Sequence, residues 1–419
     1  MNTSSRDSTL SATFTTVNQQ IIDLLFKMNR RSSMLGRISA LAGHMKPGMY
    51  RAEFEAAEKV LSSRFVSTVS GSLPTQSKAI VYSKHGPPEQ VLSVKHIPLG
   101  PLGPNKVLVK ILAASVNPAD INVIQGTYPV KTSFVNGIDS VGGNEGVGQV
   151  IAAGENVHTV SPGDWVLPIT RAIGSWQTYA IAECNDLLNL GQVEGVSHVS
   201  AATISVNPPT AYRMIKDFAQ LQPGDVIIQN SANSGVGQAV IQLAHAWGFK
   251  TVNVVRNRPN LEVLIKQLKD LGADMVVTEE QLRTPEIMRQ IAALGPAPKL
   301  GLNGVGGKSA TNVARLLGRH AHFVTYGGMS KEPVALPTSL FIFKDIKCFG
   351  FWLNEWFELH PFSERKQLFT ELLDLVRQGK LKEPTHELFS LSTKTDAELT
   401  SAIGASLSGF LNGKLVLVP

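Results

Sequence analysis

Asp225–Gly248 reads DVIIQNSANSGVGQAVIQLAHAWG, and this stretch decides the fold. Val226 to Gln229 has the length and apolar character of a buried strand. A crowded turn follows at Ala232-Asn233-Ser234-Gly235-Val236-Gly237, and then the helical run QAVIQLAHAWG. The next strand is TVNVV, Thr251–Val255. Strand, glycine turn, helix and strand within about thirty residues make a βαβ unit. The alternation continues through LEVLIKQLKDLGADMVV from Leu261, KLGLNGVGG from Lys299 and HFVTYGG from His322. That rhythm predicts a doubly wound parallel sheet.

Outward from this core the pattern changes on both sides. Upstream, KAIVY (Lys78–Tyr82), KVLVKILAASVN (from Lys106), VGQVIAAG (from Val147) and DWVLPI (from Asp164) are short strands. Gly154 and Pro162-Gly163 punctuate them, which predicts a β-rich unit. The change comes near Thr203, where TAYRMIKDFAQL (from Thr210) predicts a helix. Downstream, the alternation stops near Trp352. ERKQLFTELLDLVRQGKL (Glu364–Leu381) is an amphipathic helix, and GKLVLVP (from Gly413) ends the chain as a strand. The expected class is α/β, with the last segment returning to the β-rich unit. The boundaries expected are 78–205 for the first part of that unit, 206–354 for the nucleotide domain and 355–419 for the completion.

Residues 1–77 read as a leader. Lys27, Arg30, Arg31, Arg37, Lys46 and Arg51 follow one another, with no acid between Asp23 and Glu53 and Ser-rich gaps such as RRSSMLGRISALAG. An Arg-rich, Ser-rich, acid-poor amphipathic segment is what mitochondrial import recognises, so the matrix is the expected location. The 419 residues are 43% hydrophobic and 17% charged, a soluble globular composition. No apolar run approaches the ~20 residues of a spanning helix. Two cysteines, Cys184 and Cys348, rule out a disulfide framework and a thiol-rich zinc site. The net charge of +6 fits ordinary surface residues or attraction to a polyanion. No basic run with interleaved aromatics argues for nucleic acid.

Against the pattern G-x-G-x-x-G, Ala232 and Ser234 replace the first two glycines and Gly237 keeps the third. The strand and helix around the turn are what let amides and a helix N-terminus face a pyrophosphate. Beyond the next strand stands Arg256-Asn257-Arg258, where NAD sites usually carry an acid. Two guanidiniums are always charged and donate in a fork, which suits the 2′-phosphate of NADPH. GLNGVGGKS (Gly301–Ser309) imitates an ATPase phosphate loop, but its spacing places Leu302 where a glycine is needed. It reads as a strand and turn on the nicotinamide side.

Together these features resemble the zinc-free medium-chain dehydrogenase/reductase superfamily, and within it the mitochondrial trans-2-enoyl-CoA/ACP reductases. The motifs that carry the resemblance are NPADINVIQGTYPV, NEGVGQV, VNPPTAYRMI, QNSANSGVGQAVIQLA, NVVRNRP, YGGM and GFWLNEW, spread over Lys78–Pro419. The resemblance implies a GroES-like catalytic domain with a Rossmann cofactor domain, and a homodimer. It implies NADPH-dependent reduction of an enoyl thioester carried on CoA or acyl carrier protein. Tyr128 is its implied proton donor, with pocket-wall positioning as the alternative. Its implied cofactor contacts are Asn207, Asn233, Ser234, Gly235, Val236, Arg256, Asn257, Arg258, Tyr326, Gly327, Gly328, Met329, Phe351, Trp352, Leu353 and Lys414. Asn257 departs from relatives that carry an acid there.

No metal is expected. Where alcohol dehydrogenases have Gly-His-Glu, this chain has Gly143-Asn144-Glu145 with no cysteine nearby, and a catalytic zinc wants three protein ligands. Trp352 could close the cleft or belong to interdomain core. Trp356 and Phe357 could line an acyl pocket or pack as core. Asp120 and Glu145 are expected in structural hydrogen bonds, and His85, His158, His245 and His322 lack ligand-like spacing. The basic surplus would suit acidic carrier protein or CoA phosphates. A quinone reductase and a non-catalytic NADPH-binding protein stay open as alternatives.

Overall fold

Two sheet systems share the chain in the computed structural model, which describes residues 72–132, 134, 139–170, 173–406 and 413–419. The basic run from Lys27 to Arg51 lies outside the described residues. The β-rich part carries β1 (Gln76–Tyr82), β2 (Ser93–Pro98), β3 (Lys106–Ser115), β4 (Ser140–Val141), β5 (Gly146–Ala153), β6 (Trp165–Pro168), β7 (Tyr179–Glu183) and β8 (Leu187–Gly191). The parallel part carries β9 (Val226–Gln229), β10 (Lys250–Val255), β11 (Met275–Thr278), β12 (Leu300–Asn303), β13 (His322–Thr325) and β14 (Lys347–Gly350). The chain ends with β15 (His386–Ser390) and β16 (Lys414–Val418).

The six parallel strands run β11-β10-β9-β12-β13-β14. The chain therefore reverses direction across the sheet beside β9, and ligands of open α/β sheets bind outside the carboxyl ends at such a switch point. Val226, Ile227 and Ile228 of β9 have no exposure. A strand covered on both faces by helices reads as a continuous apolar run for this reason. β16 returns to pair antiparallel with β3, Val416 opposite Ser115 and Leu417 opposite Ala114. The C-terminal segment thus closes the sheet built by the first.

Four elements depart from or add to the sequence reading. The helix predicted from Thr210 starts at Asn207, because Pro208 and Pro209 occupy its first turn, where a missing N–H costs nothing; it ends at Asp217. β14 and the helix Thr338–Lys344 before it gave no signal: β14 has four exposed residues and no alternation. GLNGVGGKS is β12 and a turn at 304–306, as read, but the turn leads directly into a helix at Gly307–Arg315. The Glu332 carboxylate lies against Gly307 at that helix start, so close that a Cβ on Gly307 would overlap it. An acid already stands where a phosphate would have to sit.

Candidate active site

Tyr128 is positioned by a short local motif. The helix Pro118–Ile124 opens on Asn117, and the Asp120 carboxylate accepts the Asn117 N–H at 2.8 Å. Gly126 then turns with φ +71°, and a Cβ there would stand 2.9 Å from the His85 ring. The turn brings the N–H groups of Thr127 and Tyr128 onto the Asn122 carbonyl, at 2.9 and 3.1 Å. The N-P-A-D-I-N…G-T-Y pattern is the chemistry of this helix and its reversal. The phenol so placed accepts a hydrogen bond from Trp352 Nε1 at 2.9 Å. Trp352 follows the carboxyl end of β14 and is 37% exposed.

The glycine turn Ala232–Gly237 sits at the carboxyl end of β9. Ser234 caps the helix Gly235–Ala246 by accepting from Gly237 N–H at 3.1 Å. A Cβ on Gly237 would lie 2.5 Å from the Ala232 carbonyl, so the helix can start this close to the strand through glycine alone. Ser231 holds φ +46°, a left-handed conformation that costs a non-glycine residue energy and concentrates at functional turns. Its hydroxyl lies 3.4 Å from the Tyr326 hydroxyl, beneath which Gly304 leaves room. Burial pushes the Tyr326 phenol above its ordinary value.

Arg256 and Arg258 follow β10, the neighbour of β9. Burial and the nearby charge of Arg256 lower the Arg258 guanidinium from its usual value. Tyr326–Met329 follows β13 and Phe351–Leu353 follows β14, so both line the same edge. The backbone fixes these segments: Tyr326 N–H donates to Asn303 O at 3.0 Å, Met329 N–H to Gly304 O at 3.2 Å and Phe351 N–H to Thr325 O at 2.9 Å.

Lys414, at the start of β16, reaches the site from the other end of the sequence. Its Nζ donates to Asn117 Oδ1 at 2.6 Å, and Asn207 Nδ2 donates to the same oxygen at 3.3 Å. Burial lowers the Lys414 ammonium, while Glu145 and Asp120 pull it up. Asn117 and Ser231 were not singled out in the sequence. Asn117 had a signal, standing before Pro118 and three residues ahead of Asp120, whereas a left-handed serine has none.

Asn144, at the position of a zinc-ligand histidine, gives its amide to Asp120 Oδ1 at 2.6 Å. This donor set does not fit zinc, since amides committed to a carboxylate replace the imidazole and thiolate ligands the ion prefers. Among the described residues no group of three His, Cys, Asp or Glu could hold a metal ion. Trp356 is buried in core, stacked on His360 with ring centroids 4.1 Å apart and covered by the Arg213 guanidinium.

Comparison with known proteins places this geometry in a lineage. The alcohol dehydrogenase GroES-like domain model matches residues 103–201, and the zinc-binding dehydrogenase model matches residues 235–375. The mitochondrial enoyl-acyl-carrier-protein reductase of Homo sapiens is 47% identical over 344 residues, 82% of this chain and 89% of the relative. The chain belongs to the mitochondrial enoyl-acyl-carrier-protein reductase family. A solved complex of the reductase Etr1p with NADP and crotonyl-CoA superposes with a TM-score of 0.75 at 34% identity, covering 82% of this chain and all of that one. The Etr1p/Etr2p heterodimer of the mitochondrial 2-enoyl thioester reductase from Candida tropicalis gives 0.74 at 36% identity, over 82% of this chain and 100% of that one.

Proposed function

We propose that this member of the family reduces trans-2-enoyl thioesters to saturated acyl thioesters with NADPH in mitochondria, where the basic leader would direct it. The observation that carries the reading is the Tyr128 hydroxyl held by Trp352 at the carboxyl edge of the parallel sheet, 2.9 Å from the indole nitrogen. The residues fit NADPH. Asn233–Val236 and the helix N-terminus at Gly235 would hold the pyrophosphate, and Arg256 and Arg258 the 2′-phosphate, with Asn257 between them. Tyr326–Met329, Phe351–Leu353, Asn207 and Lys414 would hold the nicotinamide half. When bound, NADPH supplies the hydride. Tyr128 supplies the proton for the α-carbon, because its phenolic O–H is a hydrogen-bond donor placed at the cleft. By donating to the phenolic oxygen, Trp352 orients that hydroxyl, and its half-exposed ring shields the cleft from water.

Attraction of an acidic carrier cannot come from bulk charge. Nine basic and five acidic residues of the total lie in residues 1–77, which leaves 30 basic against 28 acidic in residues 78–419. Local clusters at the cleft must do any steering of CoA phosphates or of a carrier protein. Among the described residues no helix is long and apolar enough to cross a membrane.

A homodimer belongs to the same reading. β14 is an edge strand with all four residues exposed, and the adjoining helix exposes Phe341, Ile342 and Phe343. An open apolar edge invites a second copy about a two-fold axis. The deciding experiment is NADPH oxidation with crotonyl-CoA and longer enoyl thioesters beside a quinone control. Thioester turnover supports the reading. Quinone-only turnover replaces it with a quinone reductase, and binding without turnover with an NADPH-binding interaction protein.

A further inference from the structure

A buried polar cluster stands where the first sheet hands the chain to the parallel one, and Glu145 is its centre. Glu145 has no exposure. Its Oε1 accepts from the backbone N–H of Ser205 at 3.0 Å and of Val206 at 2.8 Å, and from the Ser205 hydroxyl at 3.4 Å. Its Oε2 accepts from Asn117 Nδ2 at 2.8 Å and from the Ser115 hydroxyl. The Lys414 ammonium lies 4.0 Å away and balances the charge. A buried carboxylate persists when its lone pairs are filled and a cation is near, and here both conditions are met.

The two backbone donors are the unusual part. Val206 is the N-cap of the helix Asn207–Asp217 and makes no side-chain cap of its own. Glu145, from the other sheet system, therefore pins the backbone immediately before the first helical residue. That residue is Asn207. Its amide reaches Asn117 on one side and presses on the nucleotide turn on the other, where a Cβ on Gly235 would come within 2.9 Å of it. The contacts form one line: Glu145 to Val206, Val206 to Asn207 by the chain, Asn207 to Gly235.

We infer that Glu145 is a positioning residue for cofactor binding, setting the nucleotide turn against the domain that carries Tyr128 by way of Asn207. The inference rests on the reading that Asn207 and the turn hold NADPH. It gives the glutamate of Gly143-Asn144-Glu145 a task that needs no metal. It also explains why Gly235 carries no side chain, since the space belongs to the Asn207 amide.

The test is a double-mutant cycle in the full chain, reading the NADPH dissociation constant by titration and the split between kcat and KM by thioester reduction. Glu145→Gln and Asn207→Ala should each raise the dissociation constant about 10-fold, with smaller changes in kcat. The double variant should be no weaker than the weaker single, because interactions in one relay are not additive. A double variant weakened about 100-fold, the product of the two, would overturn the relay. Wild-type affinity in Asn207→Ala would instead remove the cofactor reading of Asn207, and the relay with it. If Glu145→Gln yields no soluble protein, Ser115→Ala removes one donor to the same carboxylate. It should weaken NADPH about 2- to 4-fold in the wild-type background and not at all in Asn207→Ala; an equal loss in both backgrounds also overturns the relay.

Discussion

Trp352 Nε1 and the Tyr128 hydroxyl meet at 2.9 Å although 224 positions separate them in sequence. One residue comes from the turn behind a helix of the first domain, the other from the end of the last parallel strand. Their contact ties the proposed proton donor to the cofactor edge. Tyr128→Phe should lower kcat for enoyl thioesters by about 100-fold or more, the usual scale for a general acid, while NADPH affinity stays within about 2-fold. Trp352→Phe keeps the ring and loses one hydrogen bond worth about 1 kcal/mol, so a kcat loss of about 5-fold is expected. Unchanged turnover in folded Tyr128→Phe would end the donor assignment.

The arginine pair should show itself as selectivity. Arg256→Ala removes a charge-assisted contact of about 1.5–3 kcal/mol to the 2′-phosphate, which is about 10- to 150-fold in NADPH affinity. NADH lacks that phosphate and should bind the variant nearly as it binds wild type. Parallel titrations with both nucleotides measure this, and equal weakening of the two would place the arginine elsewhere.

Gly237→Ala tests the fit of the turn. The added methyl would stand 2.5 Å from the Ala232 carbonyl and 2.6 Å from its Cα, both backbone atoms that cannot swing aside. Overpacking of this kind costs about 1–3 kcal/mol. A lower melting temperature and loss of the nucleotide-induced rise in that temperature are expected together.

Asp120 carries a pH signature. Burial pushes its carboxyl up to about 6, well above the ordinary carboxylate value, against the Asn117 backbone, Asn144 and Lys414, which lower it, and with Glu145, which raises it. The folded chain therefore takes up a proton at higher pH than the unfolded chain. The group favours folding as pH falls from about 6 to about 4 and loses that contribution as pH rises through 6, a swing of about 3 kcal/mol. Activity should move the other way, because the ionised carboxylate accepts from Asn117 N and from both nitrogens of Asn144. Turnover should fall below about pH 6, and Asp120→Asn should flatten both dependences. Profiles of wild type and variant that superimpose over this window would show another group responsible.

Much of the fold was open to reading because it is written in contiguous residues. The three apolar positions of β9, the glycine turn and the helix behind it follow from backbone sterics and periodicity, and they needed no tertiary information. Arg256 and Arg258 were legible as a basic pair for a similar reason, since two charges in a short segment after a strand are neighbours in the chain; their phosphate role belongs to the proposal. Asn207 was legible as a residue of interest but not as a helix start wedged against Gly235. β14 was silent, since an edge strand with its side chains in solvent has no inward face to impose alternation.

The sequence alone thus determined the alternating α/β core, the glycine turn after β9, the basic pair and the amide in place of a metal-ligand histidine. Each is a property of a few neighbours along the chain. Tertiary structure decided which distant side chains share the site: Tyr128 with Trp352, Lys414 with Asn117 across 297 positions, and Glu145 with the backbone of Val206. Such contacts arise from sheet register and from the way the two sheet systems pack, and packing is set by the whole chain at once rather than by any stretch within it.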